Sequence, residues 1–207
     1  KPLKASAVTP ASVMERLLMN HETQHTASFT TSSRKPLKTA ATVALGAWLF
    51  GGVAQAATEV EMHRVSSDGV GESVGSVMAE DTDDGLLLTP KIEGLESGIH
   101  GFHLHANASC EPAEKDGETV AAAAAGSHFD PEETGTHQGP YGDGHLGDLP
   151  ALSVDADGKI SLPVLAPRLK ESDLSGHALM IHSGGDNYTD TPKLGGGGSR
   201  VACGVVD

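Results

Sequence analysis

Polar and apolar residues alternate through Glu59-Val60-Glu61-Met62-His63, the period-two signature of a strand with one buried face. A strand is therefore predicted over 58–65. The same reading gives further strands at 72–79, 85–90, 100–106, 152–155, 159–164, 176–182 and 200–206. Turn residues separate several of them: Ser67-Asp68-Gly69, Asp83-Asp84-Gly85 and Asp157-Gly158. The alanine run 121–125 has the length of one helical turn, but Gly126 ends it and it is too short to count as a helix. Eight short strands without a long helix predict an all-β fold, an eight-stranded antiparallel Greek-key β-barrel or sandwich. Two stretches, 107–150 and 183–199, carry no such pattern. Long irregular segments inside a compact domain are usually functional.

The N-terminal quarter reads differently. Arg34, Lys35 and Lys38 precede an uncharged run, 39–53, which is followed by Ala54-Gln55-Ala56. A basic stretch, about 15 apolar residues and an A-x-A site describe a cleavable signal peptide over 34–56, with cleavage expected after Ala56. The run is shorter than the roughly 20 residues a spanning helix needs. No cysteine lies near the site, so a lipid anchor is not expected. Residues 1–33 are rich in Ser, Thr and His without periodicity and read as a disordered extension or an artefact, with Met14 and Met19 as alternative starts. His21 and His25 read as solvated polar residues. The folded domain is predicted over 57–207, exported and, in a bacterium, periplasmic.

Charge sharpens that division. Residues 1–57 hold six Lys/Arg and two Asp/Glu, so of the chain's 14 and 28, residues 58–207 hold eight and 26, or about −18. Such a domain is not expected to bind nucleic acid or an anionic membrane. Aromatic content is only 3%, so Val, Leu, Ile and Ala must build the core, and 26 glycines favour loops over a helical bundle. Cys110 and Cys203 are the only cysteines, and an even pair in an exported chain predicts one disulfide. Closing so long a loop stabilises a fold by roughly 4–5 kcal/mol.

The candidate chemistry lies in histidines. His103 and His105 fall two apart in a predicted strand and so share a face. That pair suits a copper or zinc ion, or is simply two surface histidines. His128, His137, His145 and His182 follow, and Asp148 comes three residues after His145. Six imidazoles and a carboxylate exceed the needs of one tetrahedral or square-planar ion, so two metals sharing ligands fit the count better. His100 reads as structural, His63 and His177 as surface strand residues, Asp143 and Asp190 as solvated loop acids. Lys193 is either a steering cation or a solvated one.

Five segments carry a resemblance. They are Gly-Ile-His-Gly-Phe-His-Leu-His (98–105), Gly-Ser-His-Phe-Asp-Pro (126–131), His-Leu-Gly-Asp-Leu-Pro (145–150), Ala-Leu-Met-Ile-His-Ser-Gly-Gly-Asp-Asn (178–187) and Leu-Gly-Gly-Gly-Gly-Ser-Arg-Val-Ala-Cys-Gly-Val (194–205). In this order they resemble the copper, zinc superoxide dismutases of the exported bacterial type, over nearly all of 58–207. The resemblance implies copper on His103, His105, His128 and His182, and zinc on His128, His137, His145 and Asp148. His128 would join the two metals, Arg200 would position the superoxide anion beside copper, and Asp186 would link a copper-ligand histidine to a zinc-ligand one. It also implies a Cys110–Cys203 bridge and dismutation of superoxide to oxygen and hydrogen peroxide. Relatives occur as monomers and as dimers, so a homodimer is one expected assembly. Two departures stand out: Tyr188 or Thr191 where a histidine is frequent, and Thr136 and Gln138 flanking His137. A metal-buffering protein of the same fold is an alternative, though Arg200 and every copper histidine are present. A zinc hydrolase is another, but it would need an open zinc position beside a general base, and none is readable.

Overall fold

A computed structural model describes residues 57–207. The signal-peptide and N-terminal readings of 1–56 lie outside the described residues. Eleven strands follow in chain order: β1 Thr58–Ser66, β2 Gly69–Thr82, β3 Gly85–Ile92, β4 Gly98–His100, β5 Phe102–His105, β6 Ala113–Lys115, β7 Glu118–Val120, β8 Leu152–Val154, β9 Val164–Ala166, β10 His177–His182 and β11 Arg200–Val206. The described residues contain short 3₁₀ turns but no longer helix, and no helix among them is long and apolar enough to cross a membrane.

The ladder closes on itself. Seven strands run in the order β5-β10-β11-β1-β2-β3-β9, every pair antiparallel. β4 pairs with β8 and runs into β5 through Gly101; β8 turns back through the Asp155–Lys159 bond; Ile160 then bridges to Ile92 of β3. The eight predicted strands become eight staves of a Greek-key barrel, with two corrections. Predicted strand 100–106 is split at Gly101, whose N–H donates to Gly184 O just beyond β10 and whose C=O accepts from His182 N–H at the end of β10. Predicted strand 159–164 is an isolated bridge at Ile160 followed by β9. Ile92↔Ile160 and Leu88↔Val164 share one register, so Pro90 faces Leu162 at a hydrogen-bonding position and has no N–H to offer. β3 itself continues through Pro90 to Ile92. The long stretch 107–150 also contains what the pattern did not predict, the hairpin β6–β7 and a 3₁₀ turn at Ala123–Ala125.

Alternation decides which side chains go where. Phe102 and Leu104 of β5, with Leu179 and Ile181 of β10, are fully buried inside the barrel among Val77, Leu86 and Leu88. Burying each such side chain contributes roughly 1.5–3 kcal/mol. The alternate residues His103, His105 and His182 therefore face outward, under the loops. A second cluster seals the loop 106–126 to the barrel's outer face: Cys110, Ala122 and Ala125 pack on Val65, Ala178 and Met180. Small alanines allow this close approach. The Cys110–Cys203 disulfide is formed and ties the start of that loop to β11.

Candidate metal centre

β5 uses both of its edges. One pairs with β10; the other receives the two ends of the loop that follows. Phe129 N–H donates to Leu104 O (2.8 Å), Leu104 N–H to Gly147 O (2.9 Å) and Leu149 N–H to Phe102 O (3.3 Å). This strand-like pairing sets His128 beside His105 and Asp148 beside His103, though 20 or more residues separate them in sequence. Gly147 is required here, because a Cβ would lie 2.2 Å from the Leu104 carbonyl oxygen.

Two groups of donors result. Ligand atoms of His103, His105, His128 and His182 lie within 4.8 Å of one another, as do those of His128, His137, His145 and Asp148; all seven residues are buried. His128 belongs to both groups. Its Nδ1 lies 2.9 Å from Asp148 Oδ1, which leaves Nε2 for the four-histidine group. Asp148 Oδ1 also lies 2.9 Å from His137 Nδ1 and 3.3 Å from His145 Nδ1. Asp148 Oδ2 accepts the N–H groups of Gln138 (3.1 Å) and Gly139 (3.3 Å), which fixes the carboxylate plane. All seven predicted ligands are brought together.

The unused nitrogens identify what the site is for. His103 Nδ1, His105 Nε2 and His182 Nε2 are buried without a hydrogen-bond partner, and His137 Nδ1 has only the Asp148 Oδ1 at 2.9 Å, poorly aligned for a hydrogen bond; among the described residues no other buried side-chain nitrogen or oxygen lacks a partner. Leaving such an atom unpaired costs about 1–3 kcal/mol. The other nitrogen of each ring is engaged: His105 Nδ1 with Gly126 O (3.0 Å), His182 Nδ1 with Gly198 O (3.3 Å), and His103 and His137 through Nε2 with Asp186 (2.7 and 2.8 Å). A ring held by one nitrogen with the other bare and inward-facing is how histidine binds metal. Four imidazoles suit copper, and three imidazoles with a carboxylate suit a closed zinc site.

Asp186 sits where the sequence reading expected it, its two oxygens bridging one ring of each group. The bridge is held closely. Tyr188 N–H donates to Asp186 Oδ1 (2.7 Å), and Gly195 packs so near that a Cβ would fall 1.9 Å from that oxygen. Arg200 lies opposite His182, just before a bulge at Val201, with Nη2 3.4 Å from His105 Nδ1. Its guanidinium donates to the carbonyls of Ala122 and Gly126, so the loop sealed by the alanines holds the cation in place. A cavity of about 640 Å³ opens here, lined by His105, His128, His182 and Arg200 and also by Lys115 and Lys193.

Electrostatics separate the two groups. Burial pushes the His182 ring down to about 3 and the His128 ring down to about 4, and drives His103 and His105 down as well. Burial also opposes charge on His137, but Asp148 and Asp186 outweigh it and raise that ring to about 9. Both carboxylates are buried, yet the histidines facing them hold them well below the usual carboxylate range.

Among the remaining residues, His100 bridges His182 O (2.6 Å) and Glu96 O (2.8 Å), the structural role expected. His63 is half-buried, near Gly71 O. His177 is more than a surface residue: it bonds Ala106 O and packs on Phe129. Asp190 is exposed, as expected of a loop acid, but its Oδ2 also accepts the His137 N–H (3.0 Å). Sequence reasoning also missed Arg168, which bonds several carbonyls between Gly139 and His145.

The sequence profile of the copper/zinc superoxide dismutases matches residues 73–206. This chain belongs to that family. Superoxide dismutase [Cu-Zn] 2 of Salmonella typhimurium is 60% identical over 156 residues, covering 74% of this chain and 90% of the relative. Superoxide dismutase [Cu-Zn] of Escherichia coli strain K12 is 58% identical over the same length, covering 74% and 90%. The solved Cu/Zn superoxide dismutase from Brucella abortus superposes with a TM-score of 0.72 at 51% identity, over 73% of this chain and all of that one. The solution structure of the monomeric copper, zinc superoxide dismutase from Salmonella enterica gives 0.67 at 56% identity, with the same coverage. A superoxide dismutase barrel thus accounts for the closed ladder and for the outward-facing histidines.

Proposed function

We propose that this protein dismutates superoxide, with copper on His103, His105, His128 and His182 and zinc on His128, His137, His145 and Asp148. Copper held there would supply the one-electron redox chemistry that dismutation needs, and zinc, which has no redox activity, would be structural. Arg200 binds and orients the anion; its two carbonyl bonds keep the cation from swinging onto a carboxylate. His128 holds or releases a proton at Nε2, the atom facing the cavity's metal group, and so provides a proton where peroxide needs one. Asp186 keeps the His103 and His137 rings in fixed orientation. The observation that carries this reading is the set of three buried imidazole nitrogens, His103 Nδ1, His105 Nε2 and His182 Nε2, that no protein group satisfies, all on expected copper ligands.

The test is metal reconstitution. Protein carrying one copper and one zinc should dismutate superoxide, and His103→Ala should abolish the activity. Copper-loaded protein without turnover would leave a metal-buffering role instead.

Lys115, Lys193 and Arg200 form a local positive field that draws an anion towards a domain of about −18. Its effect weakens as salt rises. An unchanged kcat/KM across ionic strength would remove the steering role. Residues 57–207 are read as the mature domain and 34–56 as its signal peptide, giving an exported, periplasmic protein free of the membrane; the oxidised Cys110–Cys203 pair supports an oxidising compartment. Cleavage after Ala56 removes Trp48, the only tryptophan, so the exported form should show no tryptophan emission. A homodimer or a monomer is expected in solution, and sedimentation velocity distinguishes them.

A further inference from the structure

Arg168 stands outside the reaction just described, yet it has the densest set of polar contacts of any cation among the described residues. It follows β9 and turns its guanidinium onto the segment 139–145. Nε donates to Pro140 O (3.3 Å), Nη1 to Gly144 O (3.0 Å), and Nη2 to Gly139 O (3.4 Å) and His145 O. Four carbonyls of one segment thus end on one side chain.

The segment needs such a tie. It reads Gly139-Pro140-Tyr141-Gly142-Asp143-Gly144, rich in glycine, and glycine loses more backbone freedom on ordering than any other residue. The backbone bonds recorded within the turn and across its base are a long one, Gly142 N–H to Gly139 O (3.4 Å), and His145 N–H to Thr136 O (2.9 Å). Tyr141 at its tip is exposed. The segment separates His137 from His145, so its shape sets where those two rings meet Asp148. His103, His105 and His182 depend on strand ladders instead.

We infer that Arg168 is a positioning residue for the zinc site, holding 139–145 in the folded shape that aims His137 and His145 at Asp148. The guanidinium does this because its planar fork reaches several oxygens at once; a lysine ammonium is a point charge and cannot span them. The inference rests on the zinc assignment proposed above.

The test titrates the copper- and zinc-loaded enzyme with nitrilotriacetate and measures the zinc and copper that remain bound. Arg168→Ala should weaken zinc retention by roughly 10–100-fold, the usual effect of removing a group that orients ligands, and leave copper retention unchanged. Methylguanidinium added to that variant should restore zinc, which a general loss of stability would not allow. If Arg168→Ala fails to fold, Arg168→Lys serves, and it should also lose zinc selectively. Zinc retained at the wild-type level in either variant, or zinc and copper lost equally, overturns the inference. Asp148→Asn in the same assay checks the assignment separately: if it keeps zinc as tightly as the wild type, the site is wrongly assigned whatever Arg168 does.

Discussion

His103, His105 and His182 stand on β5 and β10, where ladder bonds fix each Cα, and each ring then needs only one further hydrogen bond to be aimed. His137, His145 and Asp148 stand on a glycine-rich loop, and their aim is set by many contacts to distant segments. Asp148 takes two N–H groups, Asp190 takes that of His137, and Tyr188 accepts the Ala151 N–H while its ring packs on Gly139. The charge states differ as well: burial keeps the strand-borne rings neutral, whereas two carboxylates keep His137 charged until the pH is high. A sheet supplies rigid placement directly; a loop reaches the same precision only through side chains that hold backbone groups.

The largest expected break in this comparison is Arg200→Ala. Arg200 belongs to the four-histidine half but is not what holds its rings, so kcat/KM should fall about 10²-fold while both metals stay bound; loss of copper would refute the role given to Arg200. Next is Asp186→Ala, which frees one ring in each half. Zinc affinity should fall by roughly tenfold or more and copper affinity by less, because β5 still holds His103. Equal losses, measured by competition with a chelator, would show that the strand confers no advantage.

Protons sharpen the same contrast. At pH 7 zinc should displace about one proton, from His137, and copper added afterwards about one, from Nε2 of the shared His128, and none from His103, His105 or His182, which are already neutral. Calorimetry in two buffers of different ionisation enthalpy counts them. For the metal-free protein the two halves pull stability in opposite directions. Below about pH 6.5 the unfolded chain takes up protons that buried His128 and His182 refuse down to about 4 and 3, so stability falls as pH falls. Above 6.5 the stabilisation from charged His137 is lost as pH rises through about 9. Each group contributes a slope of up to about 1.4 kcal/mol per pH unit, so denaturation curves should place the maximum near pH 6.5. The smallest effect expected is from Tyr188→Phe, which strips the acceptor from the Ala151 N–H and should cost about 1–2 kcal/mol, read as a lower Tm with activity retained.

Most of the barrel and all seven residues proposed as metal ligands were legible in the sequence, for two different reasons. Strands with one dry face alternate visibly, as β1 does. The proposed ligands were legible because five segments keep a family's spacing; the histidine count by itself gave only two metals sharing ligands. What escaped has a common physical cause. The hairpin β6–β7 is exposed on both faces, so Glu114-Lys115 and Glu118-Thr119 show no alternation. Arg168, Asp190 and Tyr188 act on backbone carbonyls and amides, and a backbone group has no letter in the sequence. Asp190 therefore looked like any loop acid, and Tyr188 registered only as a departure from relatives.

Pro90 gives the closed barrel a seam. Between the Leu88–Val164 and Ile92–Ile160 pairs the ladder lacks a donor, and Leu162 beside it stands two-thirds exposed. Amide hydrogens flanking this gap should exchange with solvent sooner than those of β1, β10 and β11, which are paired on both sides. If the cylinder breathes, it opens along that line, on a different interstrand contact from the β5–β10 pairing that carries the histidines proposed for copper, so the molecule can loosen there while His103, His105 and His182 keep their positions.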